Sequence, residues 1–218
     1  MTLLDFARGP ALYWSLIILV AGILLRLVGA LLLARTRYLS KPRSTHTVWA
    51  GIRAIIMRSF PPHAMHTRIV VQHAVGWAMH IGLFIVILLY VPHIEFIRGM
   101  TGLHWPGVPN VVISIAGGVT IAIMLFLLFR RMTDPVLRKI STADDYVSWL
   151  VTFLPLATGM MAFAHISVLR YETMLALHIL SVELLFIWIP FGKLMHMFTF
   201  IPSRAQVGAW FERRGVQA

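Results

Sequence analysis

Apolar residues fall along this chain in five long blocks, at 10–34, 69–91, 111–129, 146–165 and 171–200. A helix rises 1.5 Å per residue, so about 20 apolar residues cross a hydrocarbon layer roughly 30 Å thick. The pattern predicts an all-α integral membrane protein, a five-helix transmembrane bundle forming one domain over residues 1–218. No basic cluster precedes the first block, which is also longer than a signal-peptide core, so it reads as a retained span interrupted only by Arg26.

The links are short except the first. There, residues 47–60 (TVWAGIRAIIMRSF) space apolar positions helically beside Arg53 and Arg58. This suits a short helix in the membrane interface or a docking surface for a soluble partner, ended by Pro61 and Pro62. Residues 93–110 read as a turn-rich loop. Ser141-Thr142 followed by Asp144 and Asp145 reads as a helix start, a capping hydroxyl with acids in the first turn.

Composition agrees with the pattern. Of 218 residues, 59% are hydrophobic and 12% charged, and the mean hydropathy is +0.81, against roughly half apolar and a quarter charged in soluble domains. The net charge of +11 is unevenly spread. Basic residues crowd the links after the first and third blocks and the C-terminal tail, whereas only Arg8, Arg98 and Arg170 lie on the opposite side. By the positive-inside rule the N-terminus is expected outside and the C-terminus in the cytoplasm; the expected location is a bacterial or archaeal inner membrane. The charge is thus topology and not a nucleic-acid surface.

The chain has no cysteine. Thiolate-bound iron–sulfur clusters, disulfides and covalent haem attachment are excluded, and a redox metal must be held by His, Met or carboxylate. Histidines supply the candidates. His178 and His196 are eighteen residues apart, five turns of one helix, so they share a face about 27 Å apart. His66, His73 and His80 form a stripe on the second block, with His93 at its outer end after Pro92. Histidine within a bilayer is costly and reads as functional. Facing histidines on two spans are what bis-histidine ligation of b-type haem requires. Zinc would need four clustered ligands. A proton relay is the other competitor, because Glu183 lies mid-span.

The segments ALHILSVELLFIWIPFGKLMHMF and AGGVTIAIMLFLLFRRMTDPVLRKISTADD resemble the last helix, and the third helix with its following loop, of the gamma subunit of respiratory nitrate reductase. That di-haem cytochrome b family also includes the cytochrome b subunits of membrane heterodisulfide reductases and of sulfite-reduction-associated complexes. The resemblance covers most of the chain from the second block onward. It implies two b haems, quinol oxidation or quinone reduction near the outer one, and a cytoplasmic iron–sulfur or redox subunit docked at the inner one, in a hetero-oligomeric complex. His178 and His196 carry over as outer and inner ligands.

The second block departs from the family's ten-residue ligand spacing, since ten beyond His80 is Tyr90. Depth along the two helices favours His73 with His196 and His80 with His178. Matching MHIGLF to the family's inner ligand instead pairs His80 with His196 and His93 with His178. Arg26 either meets a haem propionate or snorkels to the interface. His93, Glu95 and Arg98 are placed to serve a quinone, which needs hydrogen-bond partners and a proton acceptor. His165 reads as interfacial. The expected function is electron transfer between the quinone pool and a cytoplasmic redox partner, by a subunit not catalytic alone. Its rivals are a haem-free membrane anchor and a small proton-coupled transporter.

Overall fold

Thr2 starts the first helix well before the apolar block begins. In the computed structural model, which describes residues 1–33, 40–60, 66–166 and 168–216, Asp5 N donates to Thr2 Oγ1 and Thr2 N donates to Asp5 Oδ2. This reciprocal capping box satisfies two backbone donors at the helix end. The helix, α1 (Leu3–Leu32), takes Pro10 in a π-helical turn, Ala7–Ala11, where a wider turn accommodates a residue lacking an N–H. Then follow α2 (Thr47–Met57), α3 (His66–Leu89), α4 (Val91–Thr101), α5 (Asn110–Thr133), α6 (Pro135–Ile140), α7 (Ala143–Ala164), α8 (Tyr171–Trp188) and α9 (His196–Arg213). No strand occurs among the described residues. Residues 61–65, including the prolines expected to end α2, lie outside the described residues.

Two expectations are corrected. The fifth block is not one helix over 171–200. It ends at Trp188 and resumes through a 3-10 turn, Lys193–Met195, into α9. Pro190 within a continuous helix would lose a hydrogen bond and drive its ring into the preceding turn, and Gly192 resumes the chain in extended conformation. His178 and His196 therefore stand on separate helices, and the shared-face argument no longer applies. The segment after Leu89 is also not a plain loop. Tyr90 is extended (ψ 123°), Pro92 sits in the first turn of α4, where a missing N–H costs nothing, and Gly102 ends the helix at φ 78°.

Five helices are long and apolar enough to cross a membrane: Leu3–Leu32, Ile69–Leu89, Asn110–Thr133, Ala143–Ala164 and Tyr171–Trp188. On α5, Ile113, Gly117, Thr120 and Met124 are buried while Val111, Ile115, Val119 and Phe126 are exposed. Large aliphatic and aromatic side chains on the outward face are a surface for lipid. The chain is a multi-pass membrane protein.

Its contacts divide it into two units. The first, Met1–Ile18 with Ala74–Trp188, packs α7 against α5 and α8, and α8 against the N-terminal turns of α1. Polar side chains tie these helices where water is absent: Trp149 Nε1 donates to Met124 O (2.9 Å) and Trp188 Nε1 to Ser148 Oγ (3.0 Å). As expected, Thr142 and Asp145 form the capping box of α7, and Asp145 also pairs with Arg131 at 3.2 Å.

The second unit, Leu19–His73 with Ile189–Ala218, is built on α2 against α9. Gly51, Ala54, Ala205 and Gly208 let the two backbones touch, and a Cβ on Gly208 would stand 2.5 Å from both Ala50 O and Ala54 Cβ. Arg204 Nη1 donates to Ser59 Oγ (2.6 Å), joining the same two segments. Gly208→Val is expected to force α2 and α9 apart at a cost of about 1–3 kcal/mol. A lowered unfolding midpoint in detergent would register this, with Gly29→Ala, which faces open space, leaving the midpoint unchanged or slightly raised.

Candidate metal centre

His178 projects from the middle of α8 toward α7. Its Nδ1 donates to Pro155 O (3.0 Å), with Thr158 Oγ1 at 3.4 Å and Ser181 Oγ a further 3.1 Å beyond. Gly159 makes room for the ring: a Cβ there would lie 2.9 Å from His178 Cε1 and 3.1 Å from Nδ1. The imidazole is thus fixed in position and tautomer, because a carbonyl only accepts.

The ring beside it belongs to His93, in the first turn of α4. The two centroids are 6.0 Å apart and the planes 19° from parallel. His93 Nδ1 donates to Val86 O (3.0 Å), a carbonyl near the end of α3. Tyr90 packs edge-on against His93 at 5.1 Å and against Phe163 at 5.6 Å. Burial holds the His93 imidazole below the usual histidine range and so keeps it neutral.

This separation has a chemical meaning. Two imidazoles bound to one metal ion from opposite sides, each nitrogen about 2 Å away, set their centroids about 6 Å apart. Aromatic pairs also occur at such distances, so the spacing alone does not decide. The nitrogens do. With both Nδ1 atoms given to main-chain carbonyls, both Nε2 atoms carry the lone pair, the arrangement that metal-bound histidines adopt. Among the described residues no three His, Asp or Glu side chains gather around one point. A structural zinc would want four ligands, whereas the axial positions of a haem want two. The donor set here fits the second requirement.

The other candidates divide by tautomer. His80 Nδ1 donates to Gly76 O (2.7 Å) and His196 Nδ1 to Lys193 O (3.0 Å), repeating the pattern of His93 and His178. His73 is reversed, with Nε2 donating to Ser59 O at 2.7 Å. The side chain of His66 lies outside the described residues. The depth argument for His80 with His178 assumed that α3 ran on to His93 and that 171–200 was one helix. Tyr90 and Pro190 break both. Arg26 Nε donates to Pro190 O (3.1 Å), holding the carbonyl exposed by the break after α8.

The quinone trio does not converge. Glu95 is two residues from His93, about 200° around α4, and pairs with Arg98 (3.4 Å) and His104 (3.5 Å) where all three are about half exposed. His165 caps α7 at φ 54° and stacks on Tyr171 at 5.2 Å. Pro155, Thr158 and Gly159 had no signal in the sequence, because nothing in spacing shows which carbonyl or glycine meets a histidine on another helix.

No protein-family model matches the chain. It is 27% identical over 209 residues, 93% of its length, to a protein of Nitratidesulfovibrio vulgaris strain Hildenborough, 91% of which is covered, whose name states no activity. The likeness spans both chains nearly end to end and brings no residue role with it.

Gly159→Ala should displace the His178 ring from Pro155 O, costing about 1–3 kcal/mol. The comparison is Gly118→Ala, whose added methyl meets open space. A detergent unfolding midpoint lowered for residue 159 and unmoved for residue 118 is the expected result.

Proposed function

We propose that this protein is a membrane cytochrome b that carries electrons between the quinone pool and a redox partner at the cytoplasmic face. The observation carrying the reading is the His93–His178 pair, 6.0 Å between centroids, with each Nδ1 tied to a carbonyl. His93 and His178 would hold one b haem. His80 and His196 share that tautomer and remain candidates for a second haem, each on its own element, whereas His73 has the other tautomer. When bound, b haem supplies a one-electron couple, ferric to ferrous, matched to quinol in two successive steps. The residues supply the rest. Pro155 O and Val86 O orient the imidazoles and raise their basicity. Tyr90, edge-on to His93 and backed by Phe163, shields the His93 ring, and low dielectric around a redox group helps set its potential. Glu95, paired with His104 and Arg98, would take protons that a quinol releases. The basic links and tail support a cytoplasmic C-terminus, and the reading assigns the protein to a bacterial or archaeal inner membrane. An iron–sulfur subunit docked there, in a hetero-oligomeric complex, completes the path, because no cysteine in this chain can hold such a cluster.

The test is a reduced-minus-oxidised visible spectrum of the purified protein. Bands of b-type haem that a soluble quinol elicits are expected, and their absence overturns the reading in favour of a haem-free anchor. His93→Ala and His178→Ala should each abolish the same haem, about half the total if two are bound. His73→Ala should retain both. A haem lost from His73→Ala but kept in His93→Ala contradicts the ligand assignment.

A further inference from the structure

Glu183 is the one buried side chain among the described residues with an oxygen that is both shielded and unbonded. It is 4% exposed, and no hydrogen bond reaches Oε1. It stands on α8, five residues beyond His178, about 7.5 Å along the axis. The elements packed on α8 offer it no counter-charge. On α7, Asp144 accepts from Ser148 and Asp145 pairs with Arg131, and Tyr146 adds no positive charge. On the N-terminal turns, Asp5 is bonded to Thr2 and Arg8 is exposed. On α8 itself, Glu172 lies in the exposed first turn beside Arg170, and His178 is given to Pro155 O.

A carboxylate ion left dry and without donors is among the costliest groups a protein can bury, and the neutral acid removes most of that cost. A single positive charge arriving within about 10 Å reverses the preference, because little water lies between to screen it. The His178 position is where such a charge comes and goes if the cytochrome reading above holds, and this inference rests on it. We propose that Glu183 is a proton-binding site within the membrane, coupled to the oxidation state at His93 and His178. In the oxidised state Glu183 is the carboxylate. On one-electron reduction by quinol it binds one proton, forming an O–H bond on its carboxyl and breaking none in the protein, so that one electron and one proton enter together. On oxidation it returns that proton. The carboxyl is thus a charge compensator for an electron held in low dielectric.

The experiment uses the purified intact protein with its haem, and reads two signals. Reduced-minus-oxidised infrared spectra should show the carbonyl stretch of a protonated carboxylic acid gained on reduction. The potential of that haem should fall with rising pH by up to about 59 mV per unit, the one-electron equivalent of a tenfold change in proton concentration. Glu183→Gln, which keeps the shape of the neutral acid, should lose both the band and the slope while retaining haem. Glu183→Asp should keep both. Band and slope unchanged in Glu183→Gln overturn the proposal, as does a wild-type difference spectrum with no carboxylic-acid band gained on reduction. A wild-type protein without b-type absorption sinks the cytochrome reading itself. In the haem-containing protein, an acid band that does not respond to oxidation state would remove the coupling and leave the cytochrome reading standing.

Discussion

Inside a bilayer no water is available to satisfy a polar group, so each donor and acceptor must find its partner in the protein. Much of this chain's interior follows from that constraint. Thr120, Thr152 and Thr158 return their hydroxyl protons to the preceding turn of their own helices. Trp149 and Trp188 reach across to neighbouring helices. Arg26 covers the carbonyl of Pro190. The same constraint sets the histidines: a neutral imidazole has one N–H to place, and His80, His93, His178 and His196 each place it from Nδ1 onto a main-chain carbonyl. What remains on His93 and His178 is a pair of lone pairs, and Glu183 remains with an oxygen that nothing satisfies. Those are the places where chemistry is to be sought.

Two breaks in otherwise apolar stretches decide which histidines meet. The extended residue Tyr90 lets the chain turn from α3 into α4 and brings the His93 ring to 6.0 Å from that of His178. The break at Pro190 places His196 at the start of a separate helix. Each break uses proline where its missing N–H is tolerated, in a first turn or outside a helix. The electron-transfer reading draws its support from this local geometry, where a depth count along straight helices had pointed to other partners.

The five spans were legible because hydrophobic run length is a direct consequence of bilayer thickness. The start of α7 was legible too, because Thr142 and Asp145 form a local motif. The break in 171–200 was written in the sequence as Pro190 and Gly192, but the apolar run around them outweighed it in the reading. The helical character of Val91–Thr101 was missed because the turn residues and aromatics after His93 read as a loop, whereas Pro92 stands in the first turn of a helix. The ring that faces His178 was open to two schemes, and the contacts of Gly159, Thr158 and Pro155 with it were beyond reach. Those are tertiary juxtapositions, and a single chain carries no periodic signal for them.

The central claim is the proposal that His93 and His178 would together hold one b haem. Its most direct test is chemical rescue of the missing ring. In His93→Gly the haem at this site is expected to be lost or to lose its six-coordinate spectrum, and free imidazole entering the vacated space should restore that spectrum without restoring the side chain. A His93→Gly protein whose haem content and spectrum match the wild type before any imidazole is added would contradict the account.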